Sequence, residues 1–139
     1  MTGKMTAAVL YGKEDVKIER VPIPHVEAGE LLVKVQVALT CGTDLKVYQR
    51  GYHARMIVPP ALFGHELAGT IEETGAGVRG FKKGMRVVAL NSAPCQTCFY
   101  CSRHQANLCE DLLFNTKLIA LPLGFKAELI VVGGAGRCG

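Results

Sequence analysis

Residues 94–109 read PCQTCFYCSRHQANLC, and within them Cys95, Cys98, Cys101 and Cys109 form a Cys-x2-Cys-x2-Cys-x7-Cys cluster only fifteen residues long. Four thiolates on one short segment can converge tetrahedrally on a zinc ion. A centre that uses all four positions leaves none for substrate, so the cluster reads as a structural zinc site. Disulfides would suit a secreted chain, but the stretch from Met1 to Asp15 lacks the apolar core and small-residue cleavage site of a signal peptide. A ferredoxin-type iron–sulfur run places its fourth cysteine after three residues and follows it with proline. Here the gap is seven residues and Glu110 follows. A nucleic-acid-binding zinc ribbon would carry two separated Cys-x2-Cys pairs and a basic face, whereas the Lys and Arg residues of this chain are scattered. Zinc is favoured, with iron–sulfur and bridged or unliganded thiols as its rivals.

The surroundings of the cluster sharpen that reading. From Ala93 to about Lys117 the chain has little apolar periodicity, so this lobe has no means of burying a core. Structural zinc binding contributes about 10–16 kcal/mol in small peptides at neutral pH, enough to order such a segment. The chemistry must then lie elsewhere in the chain.

Upstream of the lobe, short segments with β-branched residues and period-two alternation dominate, notably Thr6 to Leu10 and Val33-Lys34-Val35-Gln36-Val37. Turn-like punctuation separates them at Pro22-x-Pro24, Ala28-Gly29-Glu30, Gly75-Ala76-Gly77 and Lys83-Gly84. Many short strands with turns between them predict a mainly β fold, a small barrel or a pair of packed sheets. A short helix is expected over Asp44–Gln49, with Thr43 as N-cap and Gly51 just past its end. At 139 residues and 49% hydrophobic content the chain can bury one ordinary core.

Sixteen Lys and Arg against twelve Asp and Glu give a net charge of +4 with no block of like charge longer than a pair such as Lys82-Lys83. That distribution makes no electrostatic case for nucleic acid or a membrane surface. The longest apolar runs are broken by Pro59, Pro60 and Pro122 and are too short to span a bilayer. Six cysteines without a secretory signal point to a reducing, cytoplasmic setting.

A second constellation precedes the lobe: Cys41-Gly42-Thr43-Asp44 and, twenty residues on, Gly64-His65-Glu66. Thiolate, imidazole and carboxylate are zinc ligand types. Singly, each has a blander reading, since a free cysteine beside a strand is more often a small buried hydrophobe. Combined with the four-cysteine lobe, the two motifs resemble the zinc-dependent medium-chain alcohol and polyol dehydrogenases, in particular the sorbitol and threonine dehydrogenase branch. The resemblance also runs through Ala7-Ala8-Val9-Leu10-Tyr11, Gly64-His65-Glu66-x-Ala68-Gly69, Gly84-x-Arg86-Val87 and Gly124-Phe125-x-Ala127-Glu128, and so covers nearly the whole chain.

That resemblance implies a barrel-like fold related to the GroES co-chaperonin, here residues 1–132, with the zinc lobe at about 93–117 and a Gly-rich tail at 133–139. It implies that Cys41 and His65 hold a catalytic zinc, with Glu66 as a ligand or as a neighbour that exchanges with water and substrate. Thr43 would hydrogen-bond the substrate oxygen and start a proton relay, and Asp44 would accept the other ring N–H of His65. The blander role for Thr43 and Asp44 is to cap the short helix. Tyr48, Phe63 and Phe114 are nominated as pocket residues. The implied reaction is reversible oxidation of a secondary alcohol or polyol to a ketone with NAD(P), in a cleft shared with a nucleotide-binding domain.

The chain departs from the family pattern in two ways. It stops before the nucleotide-binding domain and before the downstream residue that completes the catalytic zinc site, so it is expected to be inactive alone. The lobe carries Gln96 and His104 where glycine is common. Residues Gly134-Ala135-Gly136-Arg137-Cys138-Gly139 fit Gly-x-Gly-x-x-Gly after an apolar run, but that motif needs a helix behind it to offer N–H groups to a pyrophosphate. The rival is a non-enzymatic, zinc-binding GroES-like module, since fold does not fix function. Oligomeric state stays open.

Overall fold

The alternating segment Thr6 to Leu10 lies within β1 (Lys4–Gly12), which is covered on both faces. Met5 and Ala7 point into one apolar cluster with Leu31, Val33, Leu67 and Ile71. Ala8 and Leu10, of opposite parity, point into a second cluster with Val47, Ile57, Ala61 and Phe63. A strand buried on both faces reads as a continuous apolar run, as Ala7-Ala8-Val9-Leu10 does. The computed structural model describes residues 3–53, 57–89, 94–95 and 97–110, together with the backbone of 129–132.

Two antiparallel sheets surround the first cluster, as the sequence predicts for a mainly β chain. β2 (Asp15–Pro22), β1 and β4 (Ala61–Leu62) form one, in that order. β6 (Arg86–Ala89), β5 (Glu66–Thr74), β3 (Leu31–Leu39) and β7 (Leu129–Val132) form the other. The alternation read at Val33 to Val37 holds at first, with Val33 buried and Lys34 exposed, and then fades, because Val37 is 52% exposed. Pairing of β3 with β5 is interrupted by irregularities between Leu32 and Val33 and between Val35 and Val37. Gly69 faces the second of these, where a Cβ would sit 2.3 Å from the Lys34 carbonyl oxygen, so only glycine admits that approach.

The consequence for function is the register at the far end of the β3–β5 pair, where Leu39 is the partner of Glu66. The chain leaving β3 reaches Cys41, and the chain entering β5 arrives through His65. Two motifs distant in sequence are thereby brought together by cross-strand pairing.

One helix follows β3, and it departs from the sequence prediction. α1 spans Gly42–Arg50 with Cys41 as N-cap, so Thr43 lies in the first turn and does not cap. The cause is Asp44, whose Oδ2 accepts the Cys41 backbone N–H at 3.0 Å and draws the helix start toward Cys41. Gly51 ends the helix in the left-handed conformation, as expected (φ 86°).

In the lobe, the described residues form only two single-turn 3-10 helices, Cys101–Arg103 and Ala106–Leu108. Cys109 is the buried residue among them, whereas Phe99 and Leu108 are 56% and 51% exposed. The lobe thus lacks an apolar core among its described residues, in line with its composition. The Gly-rich tail at 133–139 and Phe114 lie outside the described residues.

Candidate metal centres

The first centre is built by the start of α1 and the start of β5. Asp44 is 3% exposed and divides its carboxylate between two donors. Oδ2 takes the Cys41 N–H, and Oδ1 lies 3.0 Å from His65 Nδ1. A carboxylate can only accept, so Nδ1 carries the ring proton and Nε2 is left with a free lone pair. Nε2 faces Glu66, with Oε1 at 3.7 Å. The donor atoms of Cys41, His65 and Glu66 all lie within 4.8 Å of one another.

That donor set fits a zinc ion. Zinc–nitrogen and zinc–oxygen distances of about 2.0–2.2 Å give a tetrahedral edge of about 3.4 Å, close to the separation of Nε2 and Oε1. The Cys41 thiol is held below its ordinary pKa chiefly by the Thr43 backbone N–H, with the Thr43 hydroxyl acting in the same direction. A thiolate is the form that ligates metal. Three ligands leave room for a fourth, which is the arrangement of an open centre. Thr43 is exposed beside that sulfur.

The second centre is the lobe. Sγ of Cys95, Cys98, Cys101 and Cys109 lie within 4.8 Å of one another, and the Cys95–Cys101 pair is separated by 4.0 Å. A tetrahedron with zinc–sulfur distances of about 2.3 Å has sulfur–sulfur edges of about 3.8 Å, whereas a disulfide needs about 2.05 Å. All five described cysteines are unbridged. Backbone N–H groups aim at the sulfurs, as expected where negative charge is to be stabilised. Cys98 N–H donates to Cys95 Sγ at 3.3 Å, and Cys95 N–H to Cys109 Sγ at 3.2 Å. The Thr97 backbone N–H, its hydroxyl and the Cys98 N–H lower the Cys95 thiol to about 6. Cys98 is lowered by the Cys101 and Glu110 backbone N–H groups.

All seven ligand candidates therefore fall into the two groups that the sequence indicated. Sequence reading overlooked Thr97, whose hydroxyl lies 3.6 Å from Cys95 Sγ. Its position between two cysteines only three residues apart was the available signal. Two of the nominated pocket residues, Tyr48 and Phe63, belong to or border the second apolar cluster. Phe63 is 7% exposed inside the second apolar cluster, and Tyr48 packs against that cluster.

Two sheets around a shared core, with a short helix at one strand end and a cysteine lobe beyond, define a GroES-like domain of the kind found in dehydrogenases. The alcohol dehydrogenase GroES-like domain family matches residues 27–137, and the chain belongs to that family. It is 40% identical over 106 residues to the sorbitol dehydrogenase of Bombyx mori, covering 76% of this chain and 30% of the relative. It is 36% identical over 138 residues to the L-threonine 3-dehydrogenase of Pyrococcus abyssi, covering 95% of this chain and 38% of the relative. Among solved structures, alcohol dehydrogenase TADH from Thermus sp. ATN1 superposes with a TM-score of 0.77 at 32% identity, over 94% of this chain and 38% of that one. The chain spans 30% to 38% of the length of these two curated relatives. No helix of the described residues is long and apolar enough to cross a membrane.

Proposed function

We propose that this chain is the zinc-binding catalytic portion of an NAD(P)-linked dehydrogenase that interconverts a secondary alcohol or polyol with its ketone. The observation that carries the proposal is the fixed His65 ring. With Nδ1 tied to the buried Asp44 carboxylate, Nε2 faces Cys41 and Glu66 to complete an open set of sulfur, nitrogen and oxygen donors. A closed four-sulfur set in the lobe complements it.

On this reading Cys41, His65 and Glu66 hold the catalytic zinc, and Cys95, Cys98, Cys101 and Cys109 hold the structural one. Bound zinc supplies Lewis-acid polarisation of the alcohol oxygen, which lowers the pKa of its proton. Thr43 orients the alcohol and passes its proton to solvent through an exposed hydroxyl. Asp44 keeps His65 in the tautomer that leaves Nε2 unprotonated. Glu66, with a side chain 46% exposed, is the ligand suited to give way to water or substrate. The hydride acceptor on this reading is NAD(P). A reducing, cytoplasmic setting belongs to the same proposal.

Elemental analysis of protein purified without added zinc tests this reading in the parent and in Cys41→Ala. Two zinc ions per chain falling to one in the variant would support it. Equal zinc in both proteins would exclude the Cys41 centre and leave a non-enzymatic zinc-binding module. Iron in place of zinc would overturn the assignment of the lobe.

A further inference from the structure

The helix that presents Cys41, Thr43 and Asp44 is attached to the fold by few contacts. Within α1 only Asp44 and Val47 are buried, so Val47 is its one deeply buried apolar anchor. Val47 and the adjoining Tyr48 hold the helix against its apolar cluster, while its position along its own axis is set at its two ends, by the Asp44–His65 contact at one and by the backbone beside Gly51 at the other. The opposite end of α1 meets an unusual piece of backbone. The β1–β2 turn at Lys13-Glu14 abuts Gly51 so closely that a Cβ there would fall 2.3 Å from the Lys13 nitrogen and 2.8 Å from its Cα. Glu14 donates its backbone N–H to the Tyr48 carbonyl at 2.8 Å, satisfying one of the last-turn carbonyls that a helix leaves without an internal partner. Glu14 does this at φ 57°, the left-handed conformation that short hairpin turns commonly require at one position, so the turn's own geometry aims the N–H at the helix.

We infer that the Lys13-Glu14 turn is an axial stop for α1, a positioning element that sets where Cys41 and Asp44 sit relative to His65. Gly51 and Cys41 are ten residues apart, which at 1.5 Å per residue places the stop about 15 Å from the metal-ligand group it positions. The functional part of the inference rests on the proposed Cys41–His65–Glu66 centre, whereas the mechanical part does not. The turn works through backbone contact on one side and a helix carbonyl on the other, so its effect depends on turn length and on the missing Cβ of Gly51. The identities of the Lys13 and Glu14 side chains are secondary.

Two variants test the stop. Gly51→Ala forces the turn and the helix end apart. Insertion of one glycine between Gly12 and Lys13 lengthens the hairpin loop, a change that folded proteins tolerate well. Hydrogen exchange by NMR reads the position of the helix start directly, because the Cys41 and Asp44 amides are both hydrogen-bonded there. In both variants these two amides should exchange at least tenfold faster than in the parent, with the amides of β3 and β5 unchanged. Cobalt bound at the Cys41 centre, seen by its thiolate charge-transfer band and assigned by its loss in Cys41→Ser, should bind about tenfold more weakly, the scale of losing support behind a metal ligand. The cobalt held by the four-cysteine lobe should not change. Exchange at Cys41 and Asp44 within twofold of the parent overturns the stop, and if Gly51→Ala does not fold the insertion variant decides. A parent protein with no Cys41-dependent cobalt band sinks the proposed metal centre instead, and the exchange rates still judge the stop.

Discussion

Replacing Asp44 with asparagine should separate its effect on the fold from its effect on the metal. The carboxylate accepts two hydrogen bonds of 3.0 Å, from the Cys41 backbone and from the His65 ring. An amide offers one accepting oxygen and one donating nitrogen, so it can serve only one of those donors. If the amide oxygen takes the Cys41 N–H, its NH2 group faces Nδ1, and His65 must move its proton to Nε2, the nitrogen that faces Cys41 and Glu66. If the oxygen takes Nδ1, the Cys41 N–H loses its partner. Losing one charge-assisted hydrogen bond costs about 1.5–3 kcal/mol, partly offset because a neutral amide is cheaper to bury than a carboxylate. Unfolding free energy of the metal-free protein should therefore fall by less than about 3 kcal/mol. Metal affinity at the Cys41 centre should fall by about 10- to 100-fold, since the supporting group sets the tautomer of a ligand. Chelator competition with zinc or cobalt measures the affinity, and ring 15N shifts of His65 report the tautomer. A folded Asp44→Asn protein with affinity within twofold of the parent and an unchanged tautomer would refute the reasoning.

Two further outcomes concern the lobe. Cys98→Ser should loosen residues 97–110 before the sheets: limited proteolysis should cut there at least tenfold faster, while hydrogen exchange in β1 and β5 stays as in the parent, because no apolar core among the described lobe residues holds it otherwise. In metal-free protein the Cys95 thiol, at about 6 against an ordinary 9.0, contributes stability that is fully present above pH 9, declines as pH falls and is absent below pH 6. Denaturant midpoints of parent and Cys95→Ser, compared at several pH values, should diverge at the alkaline end and converge at the acid end.

The two centres were legible to different degrees, for a physical reason. The spacing of Cys95, Cys98, Cys101 and Cys109 is local, so ligand geometry over fifteen residues could be read directly from the chain. The meeting of Cys41 with His65 is not local. It depends on the Leu39–Glu66 register, which two irregularities in the β3–β5 pairing help to set. No alternation rule counts such irregularities, so only the likeness to a known family joined these residues beforehand. The helix start was misplaced because Thr43 is a good N-cap type and cysteine is not, whereas a buried Asp44 settled the matter through its bond to Cys41. Thr6 to Leu10 was recognised as a strand from β-branched residues and period-two alternation, but its burial is not alternating, because packing with α1 and β4 covers the second face as well, which a pattern along one strand does not reveal.

On the proposed reading the contrast also bears on what each metal would do for the molecule. Cys41, His65 and Glu66 are placed by elements whose stability comes from elsewhere: the β3–β5 ladder, the apolar cluster around Val47 and the Asp44 bridge. Removing a metal from that centre leaves its scaffold intact, and the site stays preorganised for reloading. The lobe sulfurs are approached by backbone N–H groups and the Thr97 hydroxyl but by no apolar core among the described residues, so on the proposed reading thiolates brought together there would repel without a cation. Proton uptake or loss of local order must follow there. An open centre on a rigid sheet end can exchange a ligand for substrate without unfolding anything, whereas a closed centre in a coreless lobe cannot. On the proposed reading, that difference in support, more than the difference in ligand type, is why chemistry is assigned to Cys41, His65 and Glu66 and structure to the four cysteines.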